Sequence, residues 1–155
     1  MGARTVVPDL ASLRSLVGED LGPSDWLEIS QERIDAFAAV TGDDQWIHTD
    51  PERARRDSPF GGTVAHGHLT ISLTPRLLRE ILEIKGTRFM VTPGIEKVRL
   101  RSPVRAGDRV RMRGTVTRVR EIKRSAVRAT LHLVFEIEGE KRPAAFGDLQ
   151  LVLYA

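Results

Sequence analysis

Cysteine is absent from the 155 residues. Its absence excludes disulfides, thiolate metal sites and a cysteine nucleophile. No apolar run approaches the roughly 20 residues that a membrane-spanning helix needs, so no membrane partner is expected. The opening segment MGARTVVPDL lacks the apolar stretch of a secretory leader, and a cytoplasmic location is expected. Neither a phosphate-loop lysine motif nor a GxGxxG is present, which removes support for nucleotide and nicotinamide enzymes. Aromatic residues make up only 5% of the chain and hardly interleave with its basic residues. That argues against a stacking surface for single strands, and with no nucleic-acid module motif no nucleic-acid partner is expected.

What is present is an ordinary apolar fraction, 41%, in a chain whose length suits one domain spanning residues 1–155. The net charge is only +3 but unevenly spread: residues 97–128 hold twelve Lys or Arg against two acids, Asp108 and Glu121. Such a run reads either as solvated strand faces or as an anion-binding surface.

Two periods organise the chain. In the first half, Leu10, Leu13, Leu16 and Val17 suggest a short covering helix, and Trp26 to Ile29 a short strand. Ser30 is placed to cap a helix with Ile34, Phe37, Ala38 and Val40 on its apolar side and Gly42 as its stop. Asp43 then falls just past that helix and His48 in the loop beyond. Asp50-Pro51-Glu52 has the cap, first-turn proline and acid of another helix start. From His66 to about Leu82 the sequence is strongly apolar and too long for a strand, which predicts a helix bent or restarted near Thr74 by Pro75. Beyond Gly86 the period becomes two. Val110, Met112 and Val116 alternate with Arg and Thr, and Leu131 to Ile137 does the same before a last strand near Phe146 to Tyr154. Half-buried strands covered by one long apolar helix define an α+β fold.

The candidate chemistry lies in TGDDQWIH (41–48) and FGGTVAHGHLTIS (60–72). A carboxylate and an imidazole, Asp43 and His48, are the usual groups for holding and polarising a water near neutral pH. The turn at His66-Gly67 opens the apolar helix, and a helix start carries unpaired N–H groups suited to an oxyanion. Each residue also has a plainer role open to it. Asp43 and Asp44 could be loop acids ending a helix, His66 could tie the turn to a backbone group, and His68 could simply pack. Trp46 could anchor its loop or form an apolar wall beside the acid. His48-x-Asp50 and His66-x-His68 could supply metal ligands, but no further cluster completes a known spacing, so no metal is expected.

The two segments resemble the MaoC-like, or hydratase 2, family of (R)-specific enoyl-CoA hydratases. Its motif is an Asp, four residues, a His, and then an HG turn opening a long buried helix. Asp43, His48, His66-Gly67 and Ser72 stand at the matching positions. The motif resemblance covers roughly residues 25–110. Gln45 and Trp46 replace the Asn and Pro of the commoner pattern, which looks like the nodulin-related branch.

The resemblance implies a hot-dog fold, a curved antiparallel sheet wrapped around a long central helix. It implies reversible hydration of trans-2-enoyl-CoA to (R)-3-hydroxyacyl-CoA with no cofactor. Asp43 and His48 would be catalytic, with the division between base and proton donor open, and Gly67 would supply the oxyanion hole. Ser72 and His66 would support the pair, and Gln45 and Trp46 would line the substrate pocket. A homodimer is implied, with acyl-CoA or an acyl carrier protein thioester as partner and the basic run near the carrier's phosphates. A hot-dog thioesterase and a non-catalytic thioester-binding module are the alternatives.

Overall fold

A computed structural model describes residues 4–123 and 125–155. The chain begins with β1 (Thr5–Val7), a 3-10 turn (Ala11–Leu16) that buries Leu13, β2 (Asp20–Leu21) and β3 (Leu27–Glu28). Three helices follow: α1 (Gln31–Thr41), α2 (Trp46–Thr49) and α3 (Pro51–Asp57). The central helical segment is α4 (Gly67–Ser72) and α5 (Thr74–Ile81). It leads into β4 (Leu82–Ile84), β5 (Phe89–Leu100), β6 (Arg109–Lys123), β7 (Ala126–Ile137) and β8 (Ala145–Tyr154).

The main sheet runs β2-β6-β7-β8-β5, antiparallel throughout, with β3 also paired to β6. It is the sheet of a hot-dog fold, and the α4–α5 segment fills its concave side. The two-residue period sets this packing. Val110, Met112 and Val116 of β6 and Leu131, Leu133 and Phe135 of β7 point inward and are buried. Leu77 and Ile81 of α5 join the same core. On the outer face Arg109 pairs with Glu138 (3.1 Å), Arg111 with Glu136 (2.6 Å) and Arg113 with Asp20 (2.6 Å). Much of the basic run on β6 is therefore matched by acids from elsewhere in the sequence.

Local signals fix the helix ends. Ser30 Oγ accepts a hydrogen bond from the Arg33 N–H at 3.3 Å. Gly42 closes α1 in the left-handed region (φ 78°), its N–H donating to Ala38 O at 2.8 Å. Ile34 and Ala38 are buried, but Val40 is 81% exposed rather than on the apolar side. Six residues after Ile34 it has turned about 240° around the helix, away from the core. The central segment does restart: Leu73 separates α4 from α5, and Pro75 sits in the first turn of α5. There a proline lacks only an N–H that would have no helical partner.

Two features differ from the sequence reading. β5 is an edge strand whose side chains are mostly exposed, with register shifts between Val91 and Gly94 and between Glu96 and Arg99. Bulges break the two-residue period, so alternation does not reveal it. β1 and β4 form a small parallel pair, Thr5 to Leu82 and Val7 to Ile84.

Candidate active site

The α1–α2 connection brings the acid to the start of the central helix. Gly42 reverses the chain, Asp43 follows, and Gln45 leads into the single turn of α2. His48 thus lies in a short helix rather than the expected loop. Helical geometry turns residues two apart by about 200°, so His48 faces inward and is buried while Trp46 faces out towards α3. The His48 backbone is held from a distance. Gln31 Nε2 donates to His48 O at 2.7 Å, and Gln31 Oε1 accepts from the Thr63 hydroxyl at 2.5 Å. Gln31 therefore ties the α2 turn to the loop that precedes α4. Nothing in its sequence neighbourhood marks this role, because both partners are distant in the chain.

Asp43, His48 and His66 converge: one possible ligand atom from each lies within 4.8 Å of the others. Asp44 is exposed and outside the group, so the carboxylate beside the two imidazoles is that of Asp43. His48 Nδ1 lies 2.6 Å from Val64 O. A carbonyl can only accept, so Nδ1 carries the hydrogen and Nε2 is the nitrogen free to gain or lose a proton. His66 Nε2 lies 2.8 Å from the Asp43 backbone O and, by the same argument, donates to it. The two imidazoles stack with centroids 3.8 Å apart at 24°, and Phe37 closes on His66 at 5.0 Å. His66 Nδ1 is buried without a hydrogen-bond partner. His66 thus fixes both the Asp43 backbone and the plane of the His48 ring.

The Asp43 side chain remains 43% exposed, so a small molecule can reach it. Gln45 Nε2 donates to Asp43 Oδ1 at 3.0 Å. That hydrogen bond is the main reason the carboxyl is held below its ordinary range, and charge on His48 and His66 acts in the same direction against partial desolvation. Gln45, expected to line the substrate pocket, touches the acid.

Trp46, expected as a pocket wall, lies against α3. The Arg53 guanidinium of α3 covers its ring at 4.4 Å, as in a cation–π pair that anchors the turn. Asp50 and His68, the other candidate metal ligands, are exposed and outside the Asp43 group.

Gly67 is the first residue of α4, and His66, its cap position, makes no side-chain cap. Gly67 lines a cleft of about 270 Å³ with Phe60, Thr70, Leu100, Arg101 and Ala144. A Cβ at Gly67 would run into the Leu100 side chain, so glycine is what allows this close approach. None of Asp43, Gln45, Trp46 and His48 lines the cleft itself. Ser72 ends α4 five residues on, about 140° around the helix from Gly67. Its side chain is exposed, and among the described residues it hydrogen-bonds neither Asp43 nor His48. Among the described residues, the side chains of Gln45 and His66 donate hydrogen bonds to Asp43.

Fold and site define a hot-dog protein with an acid–imidazole group beside the first turn of its central helix. The MaoC-like domain model matches residues 12–136, and the chain belongs to that family of dehydratases and hydratases. It is 42% identical over 139 residues to 3-hydroxyacyl-thioester dehydratase Z of Mycobacterium tuberculosis, covering 90% of this chain and 91% of that protein. It is 41% identical over 136 residues to Nodulation protein N of Rhizobium leguminosarum bv. viciae, covering 87% and 84%. Among solved structures it is similar to the (R)-hydratase from A. caviae involved in PHA biosynthesis, with TM-score 0.71, 29% identity and coverage of 87% and 94%. The family resemblance drawn from Asp43, His48 and His66-Gly67, including its nodulin-related branch, agrees with these matches.

Proposed function

We propose that the chain catalyses reversible addition of water to trans-2-enoyl thioesters, giving (R)-3-hydroxyacyl thioesters, with acyl-CoA or an acyl carrier protein thioester as substrate. The observation that carries this is the convergence of Asp43, His48 and His66 behind an open carboxylate. An ionised Asp43 and the free Nε2 of His48 are two groups between which one water can be held. In hydration Asp43 takes a proton from the water as its oxygen bonds to C3. The C2–C3 π electrons move into the thioester, and protonated His48 gives its Nε2 hydrogen to C2. Proton transfer from Asp43 to His48 then restores the pair. The Gly67 N–H stabilises the oxyanion formed on the thioester, a contribution of ~3 kcal/mol for one donor of this kind. The thioester itself acidifies C2, so the step needs no cofactor. The (R) outcome is supported by the likeness to the (R)-hydratase.

A homodimer accompanies this reading. β5 leaves one sheet edge unpaired, and exposed Leu100 lies at its end beside the cleft. A second copy laid along that edge would satisfy its backbone groups and close the cleft mouth.

Crotonyl-CoA tests the reaction. Loss of conjugated absorbance without thiol release is the expected result. Thiol release would identify a thioesterase, and tight binding with neither change would identify a binding module.

A further inference from the structure

Three cavities lie in single file along the central segment. The cleft at Gly67 and Thr70 is the first. A slot of only about 10 Å³ follows at Ile71 and Thr74. A groove of about 380 Å³ is third, at Pro75, Leu78, Arg79 and Leu82. The opposite walls keep the same order. β5 supplies Leu100, then Val98 and Ile95, then Met90 and Phe89, while β8 and the residue before it supply Ala144, then Phe146, then Leu151. The file therefore follows one helix face against two neighbouring strands. At 1.5 Å per residue, Gly67 to Leu82 spans about 22 Å, far beyond the length of a crotonyl group.

The middle slot is nearly closed, and its β5 wall is irregular. Its ladder to β8 shifts register on both sides of Ile95, and Lys97 inside the second shift has φ 53°, an uncommon value for a residue with a side chain. The far groove is apolar through Leu78, Leu82 and Leu151, but its polar groups are unusual. Thr87 Oγ1 is buried there without a hydrogen-bond partner. Arg88 makes no ion pair or side-chain hydrogen bond among the described residues, and Arg79 donates only to Pro75 O. The one acid in the lining, Glu83, is taken by Arg4 at 3.2 Å. Two guanidiniums and a hydroxyl with no acid to match call for an anionic oxygen ligand.

We propose that the substrate is a long-chain acyl thioester whose far end carries a carboxylate, with the thioester at Gly67, the chain in the file and the carboxylate on Arg88, Arg79 and Thr87. The assignment rests on the thioester chemistry proposed above. It also explains an apolar groove rimmed by unmatched positive charge at the end of the molecule away from Asp43.

The test compares three substrates: crotonyl-CoA, trans-2-hexadecenoyl-CoA and its ω-carboxylated analogue. The carboxylated chain should have the highest kcat/KM. Arg88→Ala combined with Arg79→Ala should lower that value about tenfold or more relative to crotonyl-CoA, as for loss of charged hydrogen bonds. Val98→Phe, which fills the slot, should lower both long chains relative to crotonyl-CoA, with melting temperature measured on each variant to exclude unfolding. Calorimetric titration of the corresponding saturated thioesters reads the same ranking without turnover. Hydration of crotonyl-CoA with no advantage for the carboxylated chain would overturn the assignment and leave the hydratase standing. Equal losses on all three substrates, with a shift in sedimentation, would assign the groove to subunit contact and overturn it as well. If no thioester is hydrated, the hydratase falls, and the calorimetric ranking decides whether the groove binds the carboxylate.

Discussion

At the scale of single residues, the site separates two neighbouring acids that composition alone cannot distinguish. Asp43 lies with His48 and His66, and Asp44 does not. Asp43→Asn or His48→Ala should lower turnover about 100-fold or more, the scale of general acid–base catalysis, while Asp44→Asn should have little effect. A severe Asp44→Asn would move the acid to the wrong position in the motif. Gln45 adds a pH test. Its amide is the largest cause of the lowered Asp43 pKa, so the carboxylate stays ionised to lower pH than an ordinary aspartate. Activity that needs the ionised form is lost as pH falls through that lowered value. Gln45→Leu removes the donor, lets the pKa rise, and should shift the acid limb of kcat/KM to higher pH. An acid limb that stays in place would remove Gln45 from the control of Asp43. The pairing of Asp43 with His48 was legible in the sequence through the family motif that both residues match; spacing and residue type alone leave them ordinary loop residues. The roles of Gln31, Thr63 and Val64 were not, because each acts through one hydrogen bond to a residue far along the chain.

At the scale of elements, legibility followed burial. α1, α3, β6, β7 and β8 each have one dry face or a strong cap, and both leave marks in sequence. β5 has neither: it is an edge with two register shifts, and its exposed pattern looks like loop. α2 is one turn long, too short for any period, yet it decides which of two neighbouring side chains enters the site. Because the Trp46 ring packs against Arg53 of α3, it should act on stability and not on substrate size. A buried aromatic truncated to alanine costs about 3 to 5 kcal/mol, and the partly buried Trp46 should cost about 1 to 3. Trp46→Ala should therefore lower the melting temperature while leaving the ranking of short and long enoyl-CoAs unchanged. A changed ranking would restore Trp46 as a wall of the acyl site.

At the scale of the whole molecule, charge that is clustered in sequence is divided in space. Arg109, Arg111 and Arg113 lie on the outer face of β6, each beside a carboxylate. Exposed pairs of this kind contribute little net field to an approaching ligand. Arg101 is different: it is exposed, follows the end of β5, and lines the cleft with Gly67. Arg105 stands nearby, its Nε donating to the backbone O of Phe60, which lines the same cleft. If the carrier's phosphates approach the cleft mouth, they meet these two cations and not the strand run as a whole. KM for crotonyl-CoA should then rise with ionic strength, because exposed charges are screened beyond a Debye length of about 8 Å at physiological salt. Turnover at saturation should change little, since the proposed chemistry lies at Asp43 and His48. Arg101→Ala should raise KM at low salt and flatten its salt dependence, whereas Arg109→Ala and Arg113→Ala should do neither. A salt-independent KM, or equal effects from all these arginines, would return Arg101 to an ordinary solvated surface and require the carrier to be held by apolar contact along the cleft.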